Sequence, residues 1–500
     1  MFKKVLIANR GEIAVRVMRT CKELGIRTVA VYSDVDQRAR HVELADEAIH
    51  IGPPQPSESY LNIPKILEAA MQSGAEAIHP GYGFLSENPL FSEAVRKAGL
   101  VFIGPPPEAM ALLGNKISSR VLAMKHKVPV TPGATFDSTD PALVIQKADE
   151  IGYPVLIKAA AGGGGKGMRV VHNAAELPEA LEAAMREAGS AFGDSTVYLE
   201  RYLARPRHVE FQIFCDSHGN AVHLGERECS VQRRHQKIIE ESPSVALTPD
   251  LRKRMGAAAV NVVKAAGYVN AGTVEFLLDG NEFYFLEVNA RLQVEHPVTE
   301  GVTGEDLVEW QLKVACGEPL PKTQDQIVFR GHAIECRIYA EDAARNFMPS
   351  SGRVLALEEP LLPGVRVDSG IRAGSEVSVY YDPILSKVIA MADTRDGAIR
   401  KMREALANYV LMGVASPVEM LREILAHQEF AAGNLSTHFL DENMPDWTPT
   451  AAPENELLMA LTAASFAKSA PASGTAAASN VPQSLWQTLG SWQIASGGRS

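Results

Sequence analysis

The stretch Thr273-Val-Glu-Phe-Leu-Leu-Asp-Gly-Asn-Glu-Phe-Tyr-Phe-Leu-Glu-Val-Asn-Ala-Arg291 decides the reading of this chain. Two runs rich in aliphatic and aromatic residues flank Asp279-Gly280-Asn281, a turn composition, so the segment reads as a β-hairpin. Strand period two places Glu287, Asn289 and Arg291 on one face, and the short turn sets Glu275 roughly opposite Glu287. Like charges facing each other destabilise a sheet, so either one carboxylate is protonated or a cation sits between them. An oxygen-only set of Glu275, Glu287 and Asn289, with no neighbouring Cys or His, suits Mg2+ or Mn2+ completed by nucleotide phosphates. The competing reading is an exposed polar face on which Arg291 pairs with a carboxylate.

Downstream, Gln293-Val-Glu295-His-Pro297 reads as a Pro-limited loop in which Glu295 is placed to act as a base beside the metal site. Upstream, Val155-Leu-Ile-Lys-Ala159, the glycine run Gly162 to Gly165, Lys166-Gly167 and Met168-Arg-Val-Val171 read as strand, glycine loop and strand, with amides able to fold over phosphates. It is not a Walker A loop, which needs Gly-Lys-Ser/Thr opening a helix. Lys158 sits inside an otherwise apolar strand, where an unpaired ammonium is costly and an anion relieves it. Glu226-Arg-Glu-Cys-Ser230 and Gln232-Arg-Arg-His-Gln-Lys237 read as a short loop concentrating cations for an anionic substrate or a transferring phosphoryl group.

The first 112 residues alternate short apolar runs with helical patterns: Lys4 to Ala8, a helix from Glu12 to about Leu24, then Thr28 to Tyr32. That is the rhythm of a parallel α/β sheet. Asn9-Arg10-Gly11-Glu12 has one glycine where a dinucleotide fingerprint needs three, which leaves a nucleotide-type fold without its nucleotide. Ala77 to Phe84 ends a strand in a loop dense in Gly, Pro and aromatics, where open α/β sheets present ligands. From about Arg330 to Leu440, strands such as His332–Ile338 and Lys387–Ala390 precede a helix near Arg400 to Tyr409, the pattern of a mixed α+β domain. Beyond about Asp446, Glu456 to Lys468 reads as one helix and Ser469 to Asn480 as an Ala/Ser/Pro-rich linker.

Bulk properties narrow the function. A length of 500 residues predicts about three domains. The net charge of −11 argues against nucleic acid as partner, so any phosphate must be held locally. No apolar run suggests a membrane span or a secretory signal, and a cytoplasmic location is expected. Five cysteines without a C-x-x-C pair suggest neither a disulfide framework nor a zinc site.

Ile7-Ala-Asn-Arg-Gly-Glu-Ile13, His79-Pro-Gly-Tyr-Gly-Phe-Leu-Ser-Glu-Asn88, Gly162 to Met168, Gln232 to Lys237 and Glu287 to Thr299 together resemble the biotin carboxylase component of biotin-dependent carboxylases, within the ATP-grasp superfamily. The resemblance covers residues 1 to about 445. It implies an α/β and α+β fold of ATP-grasp architecture: a Rossmann-like domain over 1–112, an ATP-grasp domain over 113–325 with a lid subdomain near 133–203, a C-terminal α+β domain over 330–445, and a helical or low-complexity tail over 446–500. The implied reaction activates bicarbonate with ATP as carboxyphosphate and delivers CO2 to the ureido nitrogen of carrier-borne biotin, the first half-reaction of an acetyl-, propionyl- or related acyl-CoA carboxylase.

By the same resemblance Lys116 and Lys158 hold ATP phosphates under Gly163, Gly164, Gly165 and Met168. Glu200, Arg201, Leu203, His208, Gln232, His235 and Leu277 line the rest of the nucleotide site, and Glu275 and Glu287, with Asn289, hold the divalent metal. Lys237, Arg291, Gln293 and the Val294 backbone cradle bicarbonate, Glu295 deprotonates it, and Arg337 stabilises the biotin enolate next to Tyr82 and Gly83. Arg201 stands where relatives usually have Lys, Asn115 where Asp is common, and Val414-Ala-Ser-Pro417 where a Thr-Asn pair is common. The biotin attachment tetrapeptide Ala-Met-Lys-Met is absent, since Ala123-Met-Lys125 is followed by His126. The expected partners are therefore a separate biotin carboxyl carrier protein, carboxyltransferase subunits and a second copy in a homodimer. Another ATP-grasp ligase would lack the Gln293 to Glu295 segment. A scaffold that had lost catalysis would lack Glu295, Arg291 or Arg337, and all three are present.

Overall fold

The computed structural model describes residues 1–135, 141–160 and 168–449, together with Leu458, Met459 and Thr462. Strands β1 (Lys4–Ile7), β2 (Arg27–Ser33), β3 (Glu47–Gly52), β4 (Ala77–His79) and β5 (Val101–Phe102) form a parallel sheet in the order β3-β2-β1-β4-β5. This is the doubly wound layer expected from the alternating pattern, with helix Gly11–Glu23 crossing over from β1 to β2. The loop after β4 is stapled from β1: the Asn9 amide donates to the carbonyls of Pro80 and Tyr82, each at 2.8 Å. Gly81 lies in the left-handed region at φ +64°, and a Cβ there would come within 2.7 Å of the Asn9 amide nitrogen.

A second sheet contains β6 (Gly133–Thr135), β7 (Val155–Ala159), β8 (Arg169–Val171) and β9 (Val197–Arg201), antiparallel in the order β6-β9-β7-β8. The expected pairing of the strands around the glycine run is present, with Val155 opposite Val171. Residues 161–167, which include Gly163, Gly164 and Gly165, lie outside the described residues, as do Glu456, Lys468 and Ser469 to Asn480.

The third sheet carries the chemistry. It comprises β10 (Arg207–Cys215), β11 (Ala221–Arg233), β12 (Gln236–Ser242), β13 (Asn270–Asp279), β14 (Glu282–Asn289), β15 (His332–Tyr339), β16 (Val365–Ser369) and β17 (Ile384–Ala392), in the order β14-β13-β10-β11-β12-β15-β17-β16. One continuous sheet therefore runs from the middle of the chain into its C-terminal region through the β12–β15 pair. Val209, Phe211, Ile213, Val274, Phe276, Phe283 and Phe285 alternate to one face and pack on helix Pro249–Ala265. Fully burying one such phenylalanine contributes about 2–3 kcal/mol. Farther along, Ile334, Ile338, Val388 and Ala390 pack against Ala398, Met402 and Leu406 of helix Arg395–Ala407.

The decisive hairpin forms as expected, with Glu275 opposite Glu287, but it holds an irregularity that strict period two misses. The register shifts between the pairs Glu275–Glu287 and Phe276–Phe285. The extra residue, Leu286, is a bulge, and a bulge exchanges the two faces of a strand. Phe283 and Phe285 thereby enter the core while Glu287 and Asn289 turn to the opposite face. Without it all four would share one side. β14 ends at Asn289, so Arg291 lies in the following loop and not on the strand face.

The basic segment is also corrected. Residues 226–237 belong to the β11–β12 hairpin, closed by Arg234 and His235 at φ +46° and +68°. The cations are spaced along paired strands, which sends Arg227 into the interior and Lys237 into the cleft. Among the described residues no helix is long and apolar enough to cross a membrane. Pro449–Ser500 is a separate unit from Met1–Thr448. Within it the Thr462 hydroxyl donates to the Leu458 carbonyl at 2.7 Å.

Candidate active site

The polar face of the third sheet is assembled by strand alternation. His208, Glu210 and Gln212 from β10, Thr273, Glu275 and Leu277 from β13, and Glu287 and Asn289 from β14 lie on the side away from the phenylalanine core. Lys237 reaches into this face from β12. Its ammonium donates to Glu210 at 2.5 Å, Glu275 at 2.8 Å and Glu295 at 2.7 Å. Glu295 is the residue preceding helix His296–Thr303 and is 2% exposed. Its other oxygen accepts from Arg337 on β15 at 3.0 Å. Arg337 also donates to Glu240 at 2.5 Å and to the Tyr339 hydroxyl at 3.1 Å.

These contacts set the protonation states. Burial alone would raise Glu295, but the Lys237 ammonium and the Arg337 guanidinium overcome it and hold the carboxyl well below the usual range. Burial opposes Glu275 in the same way, and Lys237 and His208 hold it well below. Glu287 moves the other way, raised first by burial and then by the charge of Glu275 across the hairpin. The opposed pair is thus split into one firmly ionised carboxylate and one reluctant to ionise. Lys237 stays protonated despite burial because three carboxylates surround it.

Glu275 accepts from Lys237, Asn289 and Gln293 on one oxygen, and the other lies 2.8 Å from His208 Nε2. Glu287 accepts no hydrogen bond from a described residue, which leaves its oxygens available to a ligand. Asn289 gives its amide N–H to Glu275 and its oxygen to Arg291, the latter at 2.9 Å. A hard divalent cation fits this pair of opposed carboxylates, because it would bring a directly bound positive charge to Glu287, which the Lys116 and Lys158 ammoniums favour only from beyond hydrogen-bond contact. Such an ion would be held by Glu287 and Glu275, with Asn289 contributing once it exchanges its present partners.

Arg291, expected at the bicarbonate site, is fixed by Glu87. The carboxylate accepts from Arg291 Nε and from the Ala290 backbone N–H, both at 2.8 Å. Gln293 is buried, bridging Glu275 at 2.9 Å and Arg227 at 3.1 Å. Arg227 also pairs with Glu210 at 2.5 Å beneath the floor. On β7, Lys158 finds its compensating anion within the protein, donating to Glu200 at 2.9 Å while Arg120 takes the other Glu200 oxygen at 2.8 Å. The cost of burying Lys158 is met by Glu200 without any phosphate. Lys116, half-buried at the start of helix Lys116–Lys125, is lowered by burial. Asn115 caps that helix through Ser118 N–H at 2.9 Å, a role Asp fills equally well.

The remaining expected nucleotide residues differ in burial. Leu203, His208 and Gln232 are buried, Leu277 and Met168 are half-buried, and Arg201 and His235 are exposed. Tyr82 is half-buried, 5.9 Å from the Lys387 ammonium, and Gly83 is exposed. Sequence reasoning assigned no role to Glu87, Glu210, Glu240 and Lys387, and it placed Arg227 in a cation-rich loop where the structure buries it beneath the sheet. Glu210 was discoverable, because His208-Val-Glu-Phe-Gln-Ile213 alternates polar and apolar residues.

Three family models match in order: Biotin carboxylase, N-terminal domain over residues 1–110, Carbamoyl-phosphate synthase L chain, ATP binding domain over 115–323, and Biotin carboxylase C-terminal domain over 335–442. The chain is 53% identical over 442 residues to a pyruvate carboxylase subunit of Methanothermobacter thermautotrophicus, covering 88% of this chain and 90% of that one. It is 50% identical to the mitochondrial propionyl-CoA carboxylase alpha chain of Sus scrofa over 89% of its own length, and spans 61% of that longer chain. Among solved structures, the biotin carboxylase–β-γ-ATP complex from Campylobacter jejuni superimposes with a TM-score of 0.85 at 46% identity, covering 89% of this chain and 99% of that one. The biotin carboxylase domain dimer of Hydrogenobacter thermophilus 2-oxoglutarate carboxylase, with MgADP, ADP and bicarbonate, gives 0.85 at 44% identity over 90% and 100% of the two chains.

Proposed function

The chain belongs to the biotin carboxylase family of biotin-dependent carboxylases, and on that footing we propose that it carboxylates carrier-borne biotin with ATP and bicarbonate. The observation that carries this reading is the convergence of Lys237 and Arg337 on Glu295 beside the opposed pair Glu275 and Glu287. A bound Mg2+ or Mn2+ would supply charge neutralisation for the nucleotide phosphates.

Bicarbonate enters between Lys237, Arg291 and Gln293, where its negative charge next to Glu295 raises that carboxylate's proton affinity toward a working base. Glu295 takes the bicarbonate proton as the bicarbonate oxygen attacks the γ-phosphorus and ADP leaves. Lys116 and Lys158 hold the phosphates in line. Carboxyphosphate then loses CO2 by cleavage of its C–O bond, and the released phosphate removes the proton from the biotin ureido nitrogen. Arg337 stabilises the resulting enolate charge, and the nitrogen attacks CO2 to give carboxybiotin.

We further propose a biotin carboxyl carrier protein and carboxyltransferase subunits as partners, a homodimeric assembly and a cytoplasmic site of action. The acceptor belongs to the carboxyltransferase. Alpha chains of propionyl-CoA and methylcrotonoyl-CoA carboxylases support an acyl-CoA, while the Methanothermobacter pyruvate carboxylase relative sets a 2-oxo acid beside it. Purified protein is expected to hydrolyse ATP only with bicarbonate present, and free biotin is expected to raise that rate strongly. Folded protein that responds to neither overturns the reading. Supplying the assembled complex with acetyl-CoA, propionyl-CoA or pyruvate and following labelled bicarbonate into product identifies the acceptor.

A further inference from the structure

Behind the Glu295 loop lies a lysine with no access to solvent. Lys387, on β17, is 0% exposed. Its ammonium donates to the Val294 carbonyl at 2.8 Å and lies 3.3 Å from Glu12 Oε2 on helix Gly11–Glu23. Glu12 is 1% exposed, and neither of its oxygens has a hydrogen-bond partner among the described residues. Desolvating an ammonium this completely is costly, and an apolar side chain of similar volume would fill the same space without that cost.

What the ammonium holds is the peptide between Val294 and Glu295. One peptide earlier, His296 Nδ1–H donates to the Gln293 carbonyl at 2.8 Å, with His296 itself buried. In a trans peptide the N–H points away from the carbonyl. Two successive carbonyls are therefore pinned by buried side chains, and the N–H groups of Val294 and Glu295 are turned away from them. Neither N–H has a protein acceptor among the described residues.

We propose that Lys387 is a positioning residue for the anion site: it locks the Val294–Glu295 peptide so that two backbone N–H groups and the Glu295 carboxylate meet one bicarbonate in fixed geometry. Glu12 serves as its counter-ion. The inference rests on the bicarbonate reading of this loop given above and adds the device that holds the loop in shape. It also ties the anion site to helix Gly11–Glu23 and β17, elements from opposite ends of the chain.

The test uses the full chain with K387M and the double variant K387M/E12Q. K387M strands the Glu12 carboxyl, so it is expected to melt earlier and to raise the bicarbonate KM roughly 10- to 100-fold, with the ATP KM moved by less than about twofold. The double variant removes both members of the Lys387–Glu12 pair, and the buried Glu335 carboxyl, which also feels Lys387, is pushed well above the usual carboxylate range by burial and so is not left as a bare ion. Its melting temperature is expected to return toward wild type while its bicarbonate KM stays raised. A double variant with wild-type bicarbonate KM would mean that Lys387 serves only to balance charge, and an equal rise in both KM values would mean general damage. Either result overturns the proposal.

A measurement on the wild-type chain stands whatever the variants do. Bicarbonate added with Mg-ADP is expected to slow hydrogen exchange at the Val294 and Glu295 amides. Bicarbonate-dependent turnover with both amides unprotected overturns this inference alone. Wild-type protein without bicarbonate-dependent turnover overturns the functional reading and this one with it.

Discussion

The two ends of the cleft floor are both rich in glutamate, yet they are built on different principles. Around Glu295 the charges are paired directly within the protein: Lys237 bridges Glu210, Glu275 and Glu295, and Arg337 spans Glu240 and Glu295. Around Glu287 the pairing is looser: no described side chain donates a hydrogen bond to it, and burial together with Glu275 pushes its pKa up against the opposing charges of Lys116 and Lys158. The first end holds its geometry before any substrate arrives, which is the preorganisation that transition-state stabilisation requires. The second end is completed by what binds there. The difference lies in the neighbours supplied by distant strands, because the residues themselves are of the same type.

This contrast is open to attack by substitution. The largest effect is expected from Glu295→Gln, which keeps the shape and removes the proposed base. Bicarbonate-dependent turnover should fall roughly 10^2- to 10^4-fold, measured as ADP release, with the ATP KM little changed. Next comes Glu275→Gln, which breaks a buried, charge-paired carboxylate and should cost about 3–5 kcal/mol of folding stability in urea titrations, together with metal-nucleotide binding. Glu287→Gln is the sharpening counterpart. It should weaken Mg-nucleotide affinity about tenfold by calorimetry while leaving the stability of the ligand-free chain unchanged or slightly higher, because the carboxyl is already reluctant to ionise. Equal loss of stability in Glu275→Gln and Glu287→Gln would erase the distinction between the two ends.

The pH dependence follows from the same contrast. The Glu295 carboxyl is depressed in the folded chain, so the stability it contributes is fully present above its unfolded value near 4.5 and is lost as pH falls through the lower folded value. The acid limb of a urea-midpoint profile should therefore be shallower in Glu295→Gln than in wild type. The smallest effect is expected from Asn115→Asp, which exchanges one good helix cap for another and should shift stability by less than about 0.5 kcal/mol.

Legibility tracked distance along the chain. The Glu275–Glu287 opposition was readable because the two residues share one hairpin and alternation is a local property of a strand. The bulge at Leu286 was not, since the sequence does not mark which residue the partner strand skips. Lys158 was correctly singled out as a buried cation in need of an anion, but its partner Glu200 lies 42 residues away on a strand whose pairing the sequence does not specify. Glu87 stood in a segment quoted for its resemblance and carried no assigned role, because its contact with Arg291 spans 204 residues.

From its sequence alone this protein read as an α/β and α+β chain with two carboxylates opposed across a hairpin and two paired strands flanking a glycine run. Those features depend on side-chain alternation and turn chemistry within a few residues of each other. Only the tertiary structure decided that the middle and C-terminal strands join into one eight-stranded sheet. It also decided that Glu200 answers Lys158, and that Lys387 and Glu12 meet beneath the Glu295 loop. Such pairings are selected by the electrostatic cost of burying charge, and that cost can be assessed only once the folded chain shows which charges are buried together.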